Sequence, residues 1–94
     1  MRPTKKMINS MLLILKNYQI KKAVIFGSYA RDEANENSDV DVAIDYRGRM
    51  TLFDFVGLKI ELQEQIGKKV DLTTFRALHP IIKRNALQGA IRIL

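Results

Sequence analysis

The sequence predicts a small α/β domain in which a short β-sheet is flanked by helices. Two observations predict it. Apolar residues recur at helical spacing in two stretches, the first carrying Ile8, Met11, Leu12, Leu15 and Tyr18. Between and after these stretches lie short runs rich in β-formers, KAVIF, VDVAI and KVDLT, the first closed by a glycine.

In chain order, residues 4–18 are predicted as a helix and Lys22–Gly27 as a buried strand ending at the glycine. Ser28–Ala34 reads as a turn into a short helix. Val40–Ile44 is a second strand, with Asp39, Asp41, Ala43 and Asp45 on one face and Val40, Val42 and Ile44 on the other. Arg47-Gly48-Arg49 makes a turn. Thr51 and Asp54 have the spacing of a capping box with aspartate in place of glutamate. The helix they start should run to about Ile66, with Leu52, Phe55, Val56, Ile60, Leu62 and Ile66 mostly inward and Gly67 as its cap. Lys69–Thr73 is a third strand. Pro80 suits the first turn of a further helix ending near Gly89, and Ala90–Leu94 a final strand. The helical link from second to third strand fits a parallel crossover.

The 94 residues are one domain's worth, so residues 1–94 are expected to form a single domain. There is no cysteine, which excludes disulfides and thiolate metal sites and fits a reducing cytoplasm. With a single histidine, His79, a zinc site has too few ligands. His79 stands beside Pro80 and reads as a capping or surface residue. The longest apolar run, Met11–Leu15, is too short to cross a bilayer, so no membrane role is expected. The basic start is followed by Asn9, Ser10, Lys16 and Asn17 rather than an apolar core, so an unprocessed cytoplasmic protein is expected. The net charge of +6 suits an anionic partner, although solubility alone is an equal account of it. Nucleic acid is compatible with that charge, but no aromatic-interleaved basic motif or recognition module supports it.

The acids are concentrated. Asp32, Glu33, Glu36, Asp39, Asp41 and Asp45 fall within fourteen positions. Asp39 and Asp41 alternate along a strand, which puts their side chains on one side with Cα atoms roughly 6.5–7 Å apart. Two carboxylates so placed can converge on a hard cation, and Mg2+ binds one or two carboxylates together with substrate phosphates. Asp71 interrupts an apolar strand, where aspartate is unfavourable. It either faces the same acidic pocket or stands exposed on an edge strand. Gly27-Ser28 closes the first strand, and free N–H groups at a helix start there attract phosphate. Arg31, one turn on, either reaches a phosphate oxygen or is solvated. Neither a P-loop nor a dinucleotide-binding glycine motif is present.

Gly27-Ser28, ten intervening residues and then Asp39-Val40-Asp41 together resemble the signature of the DNA polymerase beta nucleotidyltransferase superfamily. The stretch Gly27-Ser28-Tyr29-Ala30-Arg31, followed by Ser38-Asp39-Val40-Asp41, is similar to its smallest branch, the minimal nucleotidyltransferases, and Val70-Asp71-Leu72 to the strand with that family's third carboxylate. The resemblance implies a mixed sheet flanked by helices, the nucleotidyltransferase fold. It implies that Asp39, Asp41 and Asp71 are catalytic and hold Mg2+, that Gly27, Ser28 and Arg31 bind the nucleotide, and that Asp71 helps activate the incoming hydroxyl. It further implies transfer of AMP from ATP to a hydroxyl, on a helical HEPN-type toxin against which such proteins act as type VII-like antitoxins. The alternative is a non-catalytic antitoxin that neutralises its partner by occlusion. One position departs from the pattern. Asp32 stands where the family often has glycine, either as an extra carboxylate beside the phosphate site or as an acid facing solvent.

Overall fold

In a computed structural model that describes residues 1–78, 80, 83, 84 and 87–94, the elements run α1 (Lys5–Asn17), β1 (Ile20–Phe26), β2 (Val40–Tyr46), α2 (Leu52–Ile66), β3 (Val70–Thr74) and β4 (Ile91–Arg92). Thr4 caps α1 by accepting the Met7 N–H at 3.1 Å. The capping box of α2 is complete: the Thr51 hydroxyl accepts the Asp54 N–H at 3.1 Å, and the Asp54 carboxylate accepts the Thr51 N–H at 3.2 Å. Gly67 ends α2 in the left-handed conformation that the helix terminus requires. Among the described residues, no helix is long and apolar enough to cross a membrane.

The sheet has the order β3-β2-β1-β4. β1 runs antiparallel to β2 and to β4, whereas β2 and β3 are parallel, joined through α2 as the crossover reading expects. The sheet is therefore mixed. One face packs on the two helices: Ile25, Val40, Val42, Ile44, Val70 and Leu72 meet Met11 and Leu15 of α1 and Leu58 and Leu62 of α2 in one buried cluster. The other face carries Asp41, Asp71 and their neighbours, because alternate residues of a strand point to opposite sides.

Three expectations are corrected. Ser28–Ala34 forms turns and no helix. Arg31 N–H bonds to the Gly27 carbonyl at 3.1 Å and Glu33 N–H to that of Ser28 at 2.8 Å, and between them Asp32 turns left-handed at φ +59. One helical turn is thus closed before a helix can grow. Second, Leu52, Val56 and Ile60 do not face inward. They are 77%, 44% and 46% exposed, beside a Phe53 that is 91% exposed, while the fully buried residues of α2 are Leu58 and Leu62. Apolar residues occupy two sides of this helix, Leu52, Val56 and Ile60 on one and Leu58 and Leu62 on the other, so its periodicity could not select the face. Third, two strands start elsewhere than expected, while β2 starts at Val40 as expected: β1 begins two residues earlier, at Ile20, and β3 spans Val70–Thr74. The expected helix from Pro80 to Gly89, and with it His79, lies largely outside the described residues.

Candidate functional site

The site is built at one end of the β1–β2–β3 ladder. Asp41 lies opposite Phe26 across the antiparallel pair and opposite Asp71 across the parallel one. Neighbouring strands are about 4.7–4.9 Å apart, so this register sets the two carboxylates side by side on the open face. Asp39 immediately precedes β2 and is exposed. Asp71 is exposed as well, and β3 is an edge strand. Both readings of Asp71 therefore hold together: it stands at the edge and belongs to the acidic group. Asp45, on the same face of β2, is set apart by its ion pair with Lys21 at 3.4 Å.

The electrostatics join the three acids. The carboxyl of Asp41 is pushed up to about 6 from its usual 3.8, first by burial and then by the negative charges of Asp71 and Asp39, while Arg31 opposes the shift. A hydrogen bond with Asp71 adds to the rise. Like charges this close disfavour ionisation, and a cation among them reverses that preference. Among the described residues, no three side chains are already gathered in metal-ligating geometry. The donor set nonetheless fits a hard divalent ion, being all carboxylate oxygen and partly open to solvent.

Gly27 explains how Asp41 is accommodated. Its φ is +69, and a Cβ built there would run into the Asp41 Oδ2 and lie 3.1 Å from its Cγ. Only glycine serves both requirements, the left-handed turn and the carboxylate above it. The turn that follows bends around the end of the sheet. Among the described residues, its first bonded N–H is that of Arg31, and the N–H groups of Ser28, Tyr29 and Ala30 find no backbone acceptor there. Unpaired N–H groups of the kind a helix start presents are thus gathered in a single turn. Arg31 is exposed, with its Nε 3.2 Å from Glu33, yet it is close enough to lower the Asp41 carboxyl.

Asp32 occupies its left-handed position for a backbone reason. Glycine is the residue best suited to φ +59, and aspartate is one of the few others that tolerate it. Its carboxylate is 59% exposed and lies 3.2 Å from the chain's amino terminus; it is not among the groups that shift Asp41.

Two clefts lie away from the carboxylates. One of about 350 Å3 is lined by Tyr18, Tyr46 and Asp54, and one of about 380 Å3 by Met7, Tyr29 and Lys68. Sequence reading passed over Tyr29. It is 1% exposed and belongs to the helix-side core, and its hydroxyl is buried without a partner among the described residues. A bulky hydroxyl side chain directly after Gly-Ser was the available signal.

Residues 9–94 match the family described as "Polymerase beta, Nucleotidyltransferase". A protein of Methanocaldococcus jannaschii, provisionally named a protein adenylyltransferase, is 43% identical over 81 residues, which cover 86% of this chain and 87% of the relative. A solved structure provisionally described as a minimal nucleotidyltransferase superposes with a TM-score of 0.79 at 32% identity, over 89% of this chain and 86% of that one. A Shewanella oneidensis complex, described as a tri-AMPylated HEPN toxin with its MNT antitoxin, superposes with a TM-score of 0.72 at 17% identity, over 94% of this chain and 69% of that one. At that identity the likeness speaks for the fold alone.

Proposed function

We propose, since the chain belongs to the polymerase beta nucleotidyltransferase family, that it transfers AMP from ATP to a hydroxyl of a HEPN-type partner protein and acts as an antitoxin. The observation that carries the reading is the pairing of Asp41 with Asp71 across β2 and β3, beside a glycine turn with free N–H groups. The names of the relatives support the class of reaction; the class of partner is taken over from the toxin named in the Shewanella complex, with which this chain shares the fold. The cytoplasm, where ATP is available, is the compartment this reading requires.

Asp39, Asp41 and Asp71 would hold Mg2+, which supplies charge stabilisation to the attacking and leaving oxygens. The turn at Gly27-Ser28 receives the triphosphate through the N–H groups of Ser28, Tyr29 and Ala30. Arg31 adds positive charge on the same side. The acceptor oxygen forms a bond to the α-phosphorus, the α–β bridging P–O bond breaks, and pyrophosphate leaves with that electron pair. The acceptor's proton passes to Asp71, which is exposed on the edge strand β3. Catalysis in this arrangement is mainly positioning and electrostatic stabilisation.

The test is transfer of labelled AMP to the cognate partner with Mg2+ present. Wild type should label the partner, and Asp39→Asn/Asp41→Asn should lose the labelling. Undiminished transfer by that variant, or none by wild type, would sink the reading.

The exposed stripe of Leu52, Phe53, Val56 and Ile60 on α2 favours a second reading, in which the chain neutralises its partner by covering it. Cells expressing the toxin with the Asp39→Asn/Asp41→Asn/Asp71→Asn variant distinguish the two. Full protection means that catalysis is dispensable.

A further inference from the structure

We infer that the cleft between the start of α1 and the end of α2 binds a small organic anion, an oxyanion carried on an apolar body. The cleft measures about 380 Å3, near the lower end of roughly 300–1,000 Å3 for ligand sites. Met7 and Ile66 give it apolar wall. Arg2, Lys6 and Lys68 give it positive charge, and among the described residues no carboxylate lines it. The independent sign of a ligand is Tyr29. This residue contributes to the wall, is 1% exposed, and buries a hydroxyl that has no hydrogen-bond partner among the described residues. Buried hydroxyls are as a rule satisfied, so an orphan beside a cleft points to an acceptor from outside the chain.

The Lys68 ammonium stands 6.0 Å over the ring of the same tyrosine. A phosphate or carboxylate in the cleft would pair with Lys68, with Lys6 and Arg2 on the outer side, and a small shift of the Tyr29 ring would let it accept the hydroxyl proton in a hydrogen bond. An aromatic or aliphatic body would then lie against Met7 and Ile66. The site differs from the one for the triphosphate, because Tyr29 points to the helix side of the sheet and the carboxylates occupy the other face. It adjoins that site in sequence all the same, since Tyr29 follows Ser28 directly. The inference rests on the cleft alone and stands whether or not the transfer reading holds.

The test uses the full chain with 13C-labelled methionine and isoleucine methyls, titrated with phenyl phosphate in buffer free of divalent ions and inorganic phosphate. The Met7 and Ile66 methyls should shift to saturation. Phenol, with the same ring and no oxyanion, should fail to saturate them. Benzoate in a parallel titration shows whether a carboxylate serves as well as a phosphate; saturation by either anion supports the site. Lys6→Glu/Lys68→Glu should weaken binding by about tenfold or more. Tyr29→Phe keeps the ring and should weaken it by about threefold to tenfold. Absence of saturation by both anions would overturn the inference. So would an affinity unmoved by the charge reversal, or a Tyr29→Phe chain that is as stable as wild type or more so and binds phenyl phosphate equally well.

Discussion

Val40, Val42 and Ile44 are sealed beneath the two helices, whereas Asp41 and Asp45, one step out of phase with them, open on the other side of the same strand. β3 repeats the pattern, with Val70 and Leu72 buried and Asp71 exposed. The difference shows how a chain of 94 residues has both a core and a gathered set of carboxylates. The strand period of two separates them, so the acids sit on a surface already made rigid by the packing behind it. The helix-covered face determines whether the strands are held in register. The open face determines what that register places together.

That contrast can be broken first from the core side. Leu58→Ala removes a fully buried side chain of α2 and should cost about 2–5 kcal/mol of stability. Urea denaturation measures it, and a cost under about 0.5 kcal/mol would mean that the helix does not seal the core.

Gly27→Ala acts where the two faces meet. It places a methyl against the Asp41 carboxylate at a left-handed φ and should cost about 1–3 kcal/mol. Thermal melting and an AMP-transfer assay should decline together.

Asp41→Asn acts on the open face alone, and here the sign is opposite. The Asp41 carboxyl is raised to about 6, so between about pH 4 and 6 the folded chain holds a proton that the unfolded chain has released. Stability therefore falls as pH rises through that window, and the loss persists above it. In metal-free buffer Asp41→Asn should melt above wild type at pH 8 and lose the advantage below about pH 4. Added Mg2+ should raise the wild-type melting temperature more than that of the variant, by mass action. A variant that melts below wild type at pH 8 without metal would contradict this account of the open face.

The smallest effect is expected at Asp32→Gly. Relief of the left-handed backbone favours glycine by up to about 1 kcal/mol, offset by an exposed pair with the amino terminus worth about 0–1 kcal/mol. The variant should be equal to wild type or slightly more stable in urea, with ATP affinity unchanged. Tighter ATP binding would instead place this carboxylate at the phosphate site.

The sequence by itself determined the elements whose signals are local. The capping box at Thr51 and Asp54, the left-handed stop at Gly67 and the alternation of VDVAID each follow from neighbours a few residues apart. Gly27-Ser28 with Asp39 and Asp41 made the family legible because its spacing is itself a motif. The tertiary structure decided what depends on distant partners. It set Asp71 in register with Asp41, a choice made by the parallel pairing of β2 and β3 across α2. It selected Leu58 and Leu62 rather than Leu52, Val56 and Ile60 as the buried face of a helix with apolar residues on two sides. The turn after Ser28 is local, closed at a left-handed Asp32 by bonds from Arg31 and Glu33 back to Gly27 and Ser28, but with aspartate in place of glycine its stop was not marked in the sequence. Burial and register arise from the whole chain packing at once, so no local pattern carries them.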